Sequence, residues 1–317
     1  MLRYLSQGGP YHPKHGGGCR SQPDGRGLPP LHPSLAFVIH YSVAIPTIHL
    51  VHDTLVADEN QHFSHDESAL RKQADVSKFL FIYTLILFTA RYLSSYHAGR
   101  LRHHSVLYEL TWLCNSTLVA GCLSFGGWSD GWLLRRRPLA ATAYCVAVSI
   151  DQVMWYVDAF VWVVSGTFPI GVMKYLTWQQ TLWIDRLTCT HHLWTIPLII
   201  YGSGTEVTWD SFILSVYIVT IHVLLSRWLT PHIIRQERTD TGDDRRGHGN
   251  MEDPLYFRYL NVNLAHELWQ DITFPFLQIS KDNPPCWMYM FRLLWRWQVF
   301  NALVFVGILR PLSRLIT

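Results

Sequence analysis

Long apolar segments, separated by charged or glycine-rich stretches, are the feature that most constrains this chain of 317 residues. A helix rises 1.5 Å per residue, so about 20 apolar residues cross the hydrocarbon core of a bilayer. Several segments approach or exceed that length, and only 15% of all residues are charged, against about 25% in soluble domains. The sequence therefore predicts an all-α fold, a polytopic bundle of transmembrane helices.

The hydropathy pattern predicts about seven spans. They cover residues 34–51, 79–96, 105–125, 138–164, 186–201, 209–229 and 289–309. The first is the weakest because it contains two histidines and a proline. Residues 1–33 are rich in Gly, Pro, His and Arg and are predicted to be a disordered tail, so the transmembrane domain comprises residues 34–317. The distribution of Lys and Arg predicts a charged cytoplasmic linker at 232–253, and an amphipathic segment follows at 259–279.

Charge and cysteine content exclude several classes of protein. The formal net charge is only +3 and no basic stripe is present, so no nucleic-acid partner is expected. The six cysteines lie far apart without a Cys-x-x-Cys pair, which argues against a zinc ribbon or a disulfide framework. We interpret them as buried free thiols. The expected partners are membrane lipids, and the expected location is an integral, multi-pass position in a membrane.

Two aspartates lie inside the apolar run 138–164. Asp151 and Asp158 are seven residues apart, which places them two turns apart on one helical face with Trp155 between them. Ionisable groups at this depth are costly and mark candidate functional sites. They suit proton relay, metal ligation or acid–base catalysis, so both are predicted to be catalytic. Structural pairing with an arginine of another helix is the alternative.

A second polar group lies at the start of the span 186–201. Asp185, Thr188 and His192 follow an i, i+3, i+7 spacing and share a face. We predict His192 as a general base and Asp185 as its orienting partner, and His191 as a binding residue. Adjacent histidines lack the i, i+4 spacing that holds zinc from one helix, so a metal would need a ligand from a second helix. No metal is assigned and the cofactor stays undetermined; histidines that only form hydrogen bonds at the interface are the alternative.

Two further groups are predicted to bind substrate. Glu109 and Asn115 lie on one face of the span 105–125, where interhelical hydrogen bonding is the alternative. His266 and Glu267 lie in the segment 259–279, which either caps a cavity of the bundle or presents a solvated face.

Residues 108–201 resemble the glycerophosphocholine acyltransferases, an eight-span eukaryotic family of the endoplasmic reticulum. The resemblance rests on Tyr108–Asn115, where that family has an aromatic-rich helix ending in a Trp/Tyr-x-x-Asn pattern. It also rests on Asp185-Arg186, Thr188 and His192-Leu193, which are similar to an Asp-Lys, Thr/Ser, His-Leu run. The spacing between the two motifs is longer here, and the family's Gly-Pro-Leu element is absent. The resemblance implies an endoplasmic reticulum location and a lipid or acyl-donor substrate.

Three functions remain open from the sequence. A membrane-embedded lipid-modifying enzyme, catalysing acyl transfer or hydrolysis, predicts that the polar faces converge on one cavity. A proton-coupled transporter using Asp151 and Asp158 predicts a path to both faces, although no internal repeat supports it. A non-catalytic structural membrane protein predicts that each aspartate is paired with a buried donor.

Overall fold

The computed structural model describes residues 31–56, 67–97, 106–126, 138–177, 181, 183–231, 233–236, 256–259, 262–266, 279 and 284–316. Within these residues the chain is almost entirely helical. The helices are α1 (Pro33–Val56), α2 (Glu67–His97), α3 (Val106–Glu109), α4 (Leu113–Phe125), α5 (Pro138–Ser165), α6 (Trp183–Thr188), α7 (His191–Ser203), α8 (Trp209–Leu229), α9 (Cys286–Val304) and α10 (Arg310–Ile316). A π-helical turn, Phe305–Leu309, joins the last two helices into one continuous rod.

Five of the described helical segments are long and apolar enough to cross a membrane. They are Pro33–Leu55, Glu67–Ser94, Pro138–Ser165, Trp209–Leu229 and Cys286–Ile316. These segments are compatible with an integral membrane protein, and they include the weakest predicted span, 34–51. The predicted number of about seven is not reached, because the two remaining predicted spans are interrupted.

Local sequence signals account for the ends of the continuous helices. Pro138 begins α5, where its missing N–H costs nothing. Gly166 follows the helix with φ +72°, and Gly204 follows α7 with φ +60°, a conformation that glycine adopts without strain. Thr208 caps α8 by accepting a hydrogen bond from the Ser211 N–H.

Helix α5 lies at the centre of the bundle, packed against α4, α7, α8 and α9. Its N-terminal half is rich in buried alanines, and small side chains let neighbouring helices approach closely. The outer faces of α1, α2 and the C-terminal half of α5 expose large apolar side chains. Apolar surface outside and polar groups inside suit a lipid environment.

Both interrupted spans break near one end. The predicted span 105–125 divides into α3 and α4 around Leu110–Trp112, and the span 186–201 divides into α6 and α7 at Cys189–Thr190. Each second half has 13 residues, about 20 Å of helix.

The described part of the C-terminal loop departs from a simple linker. Ile233–Gln236 forms strand β1, which pairs antiparallel with β2, Tyr256–Tyr259. The predicted linker 232–253 therefore contains a strand, and the predicted amphipathic segment 259–279 begins at the end of another. Val262–Leu264 is a 3-10 turn in which Asn263 and Leu264 have positive φ.

Candidate active site

The break between α3 and α4 is closed by hydrogen bonds from other elements. Tyr41 of α1 donates to the Leu110 carbonyl at 2.8 Å, and Asn115 Nδ2 donates to the Glu109 carbonyl at 2.7 Å. Asn263 donates to the Thr111 carbonyl at 2.9 Å and accepts from the Leu113 N–H at 2.7 Å. Buried backbone groups must be paired, so these side chains make an irregular backbone possible inside the bundle.

The break between α6 and α7 is held in a similar way. The Thr188 carbonyl accepts from the Tyr83 hydroxyl at 2.9 Å and from His191 Nδ1 at 2.6 Å. Because a carbonyl can only accept, the His191 proton lies on Nδ1 and a lone pair lies on Nε2. His191 is 1% exposed, and its Nε2 has no hydrogen-bond partner in the described structure.

Arg91 of α2 connects the two breaks. Its guanidinium donates to Glu109 Oε2 at 3.0 Å, to Thr188 Oγ1 at 2.9 Å and to Cys189 Sγ at 3.4 Å. Glu109, predicted to bind substrate, is thus buried in an ion pair with this arginine. A buried charge pair of this kind orders the backbone around it.

His192, which is buried, faces Asp151, Gln152 and Trp155 of α5. Asp151 Oδ2 is 3.4 Å from its Nδ1, and the Trp155 ring stacks on the imidazole with centroids 4.2 Å apart. Gln152 Nε2 lies 2.9 Å from the same Nδ1, while Gln152 Oε1 is buried and unpaired among the described residues. Amide O and N are interchangeable in shape. The carboxylate favours a proton on Nδ1, and with its O and N exchanged the Gln152 amide accepts from that N–H, which leaves the lone pair on Nε2.

Cys114, His191 and His192 come together where the two breaks meet. Each offers one ligand atom, these atoms lie within 4.8 Å of one another, and all three residues are buried. A cavity of about 30 Å³ adjoins the group and is lined by Cys114, Asp151, Asn263 and apolar neighbours. Such a volume accommodates about one or two water molecules. The Asp151 side chain is 24% exposed, against 7% for the His192 side chain.

Asp158, predicted to act with Asp151, has a different environment. Its carboxylate accepts hydrogen bonds at 2.9–3.2 Å from the backbone N–H groups of Ile170, Gly171 and Met173, and the residue is fully buried. These contacts fasten the loop after α5 to the helix. The two aspartates share a helix face, yet only Asp151 reaches the histidines.

The other predicted residues lie at varying distances from the centre. Asp185 lies on α6 before the second break, within electrostatic range of Arg91 and Cys189, and the carboxylate beside His192 is that of Asp151. His266 accepts from Arg227 at Nδ1, 2.7 Å, and donates from Nε2 to the Thr230 carbonyl, 2.9 Å. This histidine fixes the loop after α8, and Glu267 lies outside the described residues.

Sequence reasoning missed several residues of the centre. Arg91 carried a usable signal, because an arginine inside an apolar run must find a buried partner. Cys114 and Gln152 carried none, since cysteine and glutamine are common in apolar helices as inert side chains.

A second buried polar cluster also escaped the sequence analysis. His40 Nε2 lies 3.0 Å from His222 Nδ1, and the Tyr144 hydroxyl lies 3.1 Å from His222 Nε2. Both histidines are fully buried. The cluster joins α1, α5 and α8.

Comparison with known protein families, curated proteins and solved structures found no match to this chain.

Proposed function

We propose that the chain is a membrane-embedded enzyme that hydrolyses or transfers an acyl group of a lipid at the centre formed by Asp151, His192 and Cys114. The observation that carries the proposal is the Asp151 carboxylate, which is paired with a buried imidazole at 3.4 Å and borders a water-sized cavity. A carboxylate in this position is placed to accept a proton from a water or hydroxyl in the cavity.

The proposed reaction uses few groups. The attacking O–H gives its proton to Asp151, and its oxygen forms a bond to the acyl carbon. The bond from that carbon to the leaving oxygen then breaks, and the leaving oxygen takes the proton back from Asp151. His192 contacts the carboxylate and stabilises it in the orientation required.

Two features support a lipid as the substrate. The outer faces of α1, α2 and α5 are apolar and exposed, as expected of helices that contact lipid. The broken helices supply polar groups at the depth of the bundle, and irregular backbone at that depth occurs where it is buried in protein or lines a cavity.

The test is comparative lipidomics of host membranes that express the wild type, Asp151→Asn or Asp158→Asn at matched protein levels. The two variants carry the same substitution on one helix, two turns apart, and differ in whether the carboxylate faces the cavity. We expect a lipid class altered by the wild type and by Asp158→Asn, with the change reduced at least tenfold in Asp151→Asn. Unchanged lipids in all three strains, or equal loss in both variants, would refute the proposal.

Proton-coupled transport is the second candidate, and the His40–His222–Tyr144 chain favours it. Its hydrogen bonds of 3.0 and 3.1 Å connect three helices, as a proton relay requires. Proteoliposomes with a pH-sensitive dye inside distinguish the two candidates. Only a transporter changes the internal pH when a proton gradient is imposed across the vesicle membrane.

A further inference from the structure

We propose that Cys114, His191 and His192 bind one zinc ion, with the fourth coordination position open toward the cavity beside Asp151. The inference deepens the proposed function and relies on it only for the purpose of the ion; the metal site itself stands on the geometry of these three side chains.

The three residues come from two elements that the helix breaks bring together. Cys114 lies in the first turn of α4, and the two histidines begin α7. Their ligand atoms lie within 4.8 Å of one another. Tetrahedral zinc with Zn–N about 2.0 Å and Zn–S about 2.3 Å needs separations of about 3.3–3.6 Å. Side-chain rotations that move the ligand atoms by about 1 Å bring them to these separations.

The surroundings of both histidines match those of metal ligands. A ligating imidazole commonly donates its other N–H to a carbonyl or carboxylate, which fixes the tautomer and aims the free nitrogen at the metal. His191 Nδ1 donates to the Thr188 carbonyl at 2.6 Å, and His192 Nδ1 faces Asp151 at 3.4 Å.

The remaining nitrogen of His191 is an independent indication of a ligand. Nε2 is buried and has no hydrogen-bond partner in the described structure. Leaving a buried acceptor unpaired is unfavourable, because the group has lost its hydrogen bonds to water. A bound metal ion removes that cost. The Nε2 lone pair lies beside a thiol and a second imidazole, and these three groups together can bind a metal ion.

The donor set limits the choice of metal. Thiolate with two imidazoles suits zinc or copper, whereas magnesium and calcium require oxygen ligands; we assign zinc because the neighbouring cavity has room for a metal-bound water. Three protein ligands and one open position are typical of catalytic zinc, which lowers the pKa of bound water and polarises carbonyls. The cavity bordering Cys114 and Asp151 offers room for that water.

The experiment measures the metal content of the full chain, purified in detergent without chelator, by inductively coupled plasma mass spectrometry. We expect about one zinc per chain in the wild type and at least a tenfold lower content in Cys114→Ser, His191→Gln and His192→Gln. Cys122→Ser is the matched control, because Cys122 is a buried cysteine two turns along the same helix and away from the histidines. It should retain the wild-type content.

Cobalt replacement provides a second readout that does not depend on how well the variants fold. Wild-type protein stripped with a chelator and reloaded with Co²⁺ should show thiolate-to-cobalt charge-transfer absorption. Prior alkylation of the thiols should abolish it. Less than a tenth of an equivalent of zinc in the wild type, bound copper in its place, or a cobalt spectrum without the thiolate band would overturn the inference.

The results distinguish a wrong metal-site proposal from a wrong function proposal. Zinc bound without any lipid change leaves the metal site standing and refutes the function. A lipid change produced by wild-type protein that holds less than a tenth of an equivalent of zinc supports the function and refutes the metal site.

Discussion

Arg91 shows how one side chain can hold two broken helices in register. It reaches Glu109 next to the first break and Thr188 and Cys189 at the second. An ion pair buried to this degree contributes little against apolar residues of equal size, but losing one partner is costly because the other charge stays buried.

We expect Arg91→Met to lower the free energy of unfolding by about 3–5 kcal/mol. The double variant Arg91→Met/Glu109→Leu should recover part of this loss, because no unpaired carboxylate remains. Thermal unfolding of the detergent-solubilised protein measures both. If the losses of Arg91→Met and of the single variant Glu109→Leu simply add in the double variant, the pair does not act as a unit.

Asp158 illustrates a carboxylate used for architecture. Its two oxygens accept from three backbone N–H groups of the loop after α5. Asparagine keeps one oxygen but turns an N–H₂ toward N–H donors. Asp158→Asn should therefore cost about 1–3 kcal/mol.

Hydrogen exchange locates this effect. Amides of residues 170–173 should exchange faster in Asp158→Asn and at the wild-type rate in Asp151→Asn. Equal protection in both variants would mean that the carboxylate does not hold the loop.

At the level of elements, the break between α3 and α4 depends on a residue 150 positions away in sequence from Leu113. Asn263 pairs the Leu113 N–H and the Thr111 carbonyl and donates to Ser226 Oγ. Its φ of +53° is a conformation that asparagine tolerates better than most residues.

Two substitutions separate these contributions. Asn263→Gly keeps the backbone conformation and removes the side-chain hydrogen bonds, so it should lower the free energy of unfolding by about 1–3 kcal/mol. Asn263→Ala should cost about 1–2 kcal/mol more because alanine is strained at positive φ. Urea or thermal unfolding of the two proteins checks the order. Equal stabilities would show that the strained conformation is not retained.

Two glycines lie at close contacts between helices. Gly202 of α7 packs against α2, and Gly121 of α4 packs against both α2 and α7. A Cβ on Gly202 would lie 2.9 Å from Val76 Cγ1 and 3.1 Å from Val76 Cβ, whereas one on Gly121 would meet the terminal methyls of Leu80 at 2.8 Å and Ile199 at 3.1 Å. Valine is short and stiff, so it cannot move aside as leucine can.

We therefore expect Gly202→Ala to destabilise the fold by about 1–3 kcal/mol through overpacking. Gly121→Ala should be close to neutral, since alanine gains about 1 kcal/mol in helix propensity over glycine. The difference in thermal midpoint between the two variants is the measurement. If Gly121→Ala were the more destabilising variant, the tighter contact would be that of α4 and not that between α7 and α2.

Across the described residues, large apolar side chains cover much of the outside of the bundle, and the buried core is mainly apolar with polar clusters inside it. Ion pairs also connect the C-terminal helix α10 to a loop that lies far from it in sequence. Glu206, in the loop between α7 and α8, forms ion pairs with Arg310 and Arg314 of α10. The hydrogen bond from Arg314 lowers the pKa of Glu206 below its ordinary value.

The sign of the resulting pH dependence follows from this shift. A carboxyl whose pKa is lower in the folded state contributes stability above the unfolded pKa, about 4.3, and loses it as the pH falls through the folded pKa. The wild type should thus exceed Glu206→Gln in thermal midpoint at pH 7 and converge with it in acid. A constant difference between pH 7 and pH 3 would contradict the assigned pairing.

The sequence by itself predicted the all-α class and several helix ends, whereas α2 begins at Glu67, ahead of the predicted span 79–96. Apolar length predicted all five long helical segments, and Pro138, Ser165-Gly166 and Gly202-Ser203-Gly204 marked their ends or those of α7. These features depend on local properties: the hydrophobicity of about 20 consecutive residues and the dihedral preferences of proline and glycine.

Only the tertiary structure decided where the helices break and which polar groups meet. No proline or glycine occurs at Leu110–Trp112 or at Cys189–Thr190, so nothing local signals either interruption. The breaks persist because distant side chains pair the freed backbone groups, and helical periodicity contains no information about such partners. The same long-range packing separates Asp151 from Asp158 and brings Cys114 to the two histidines.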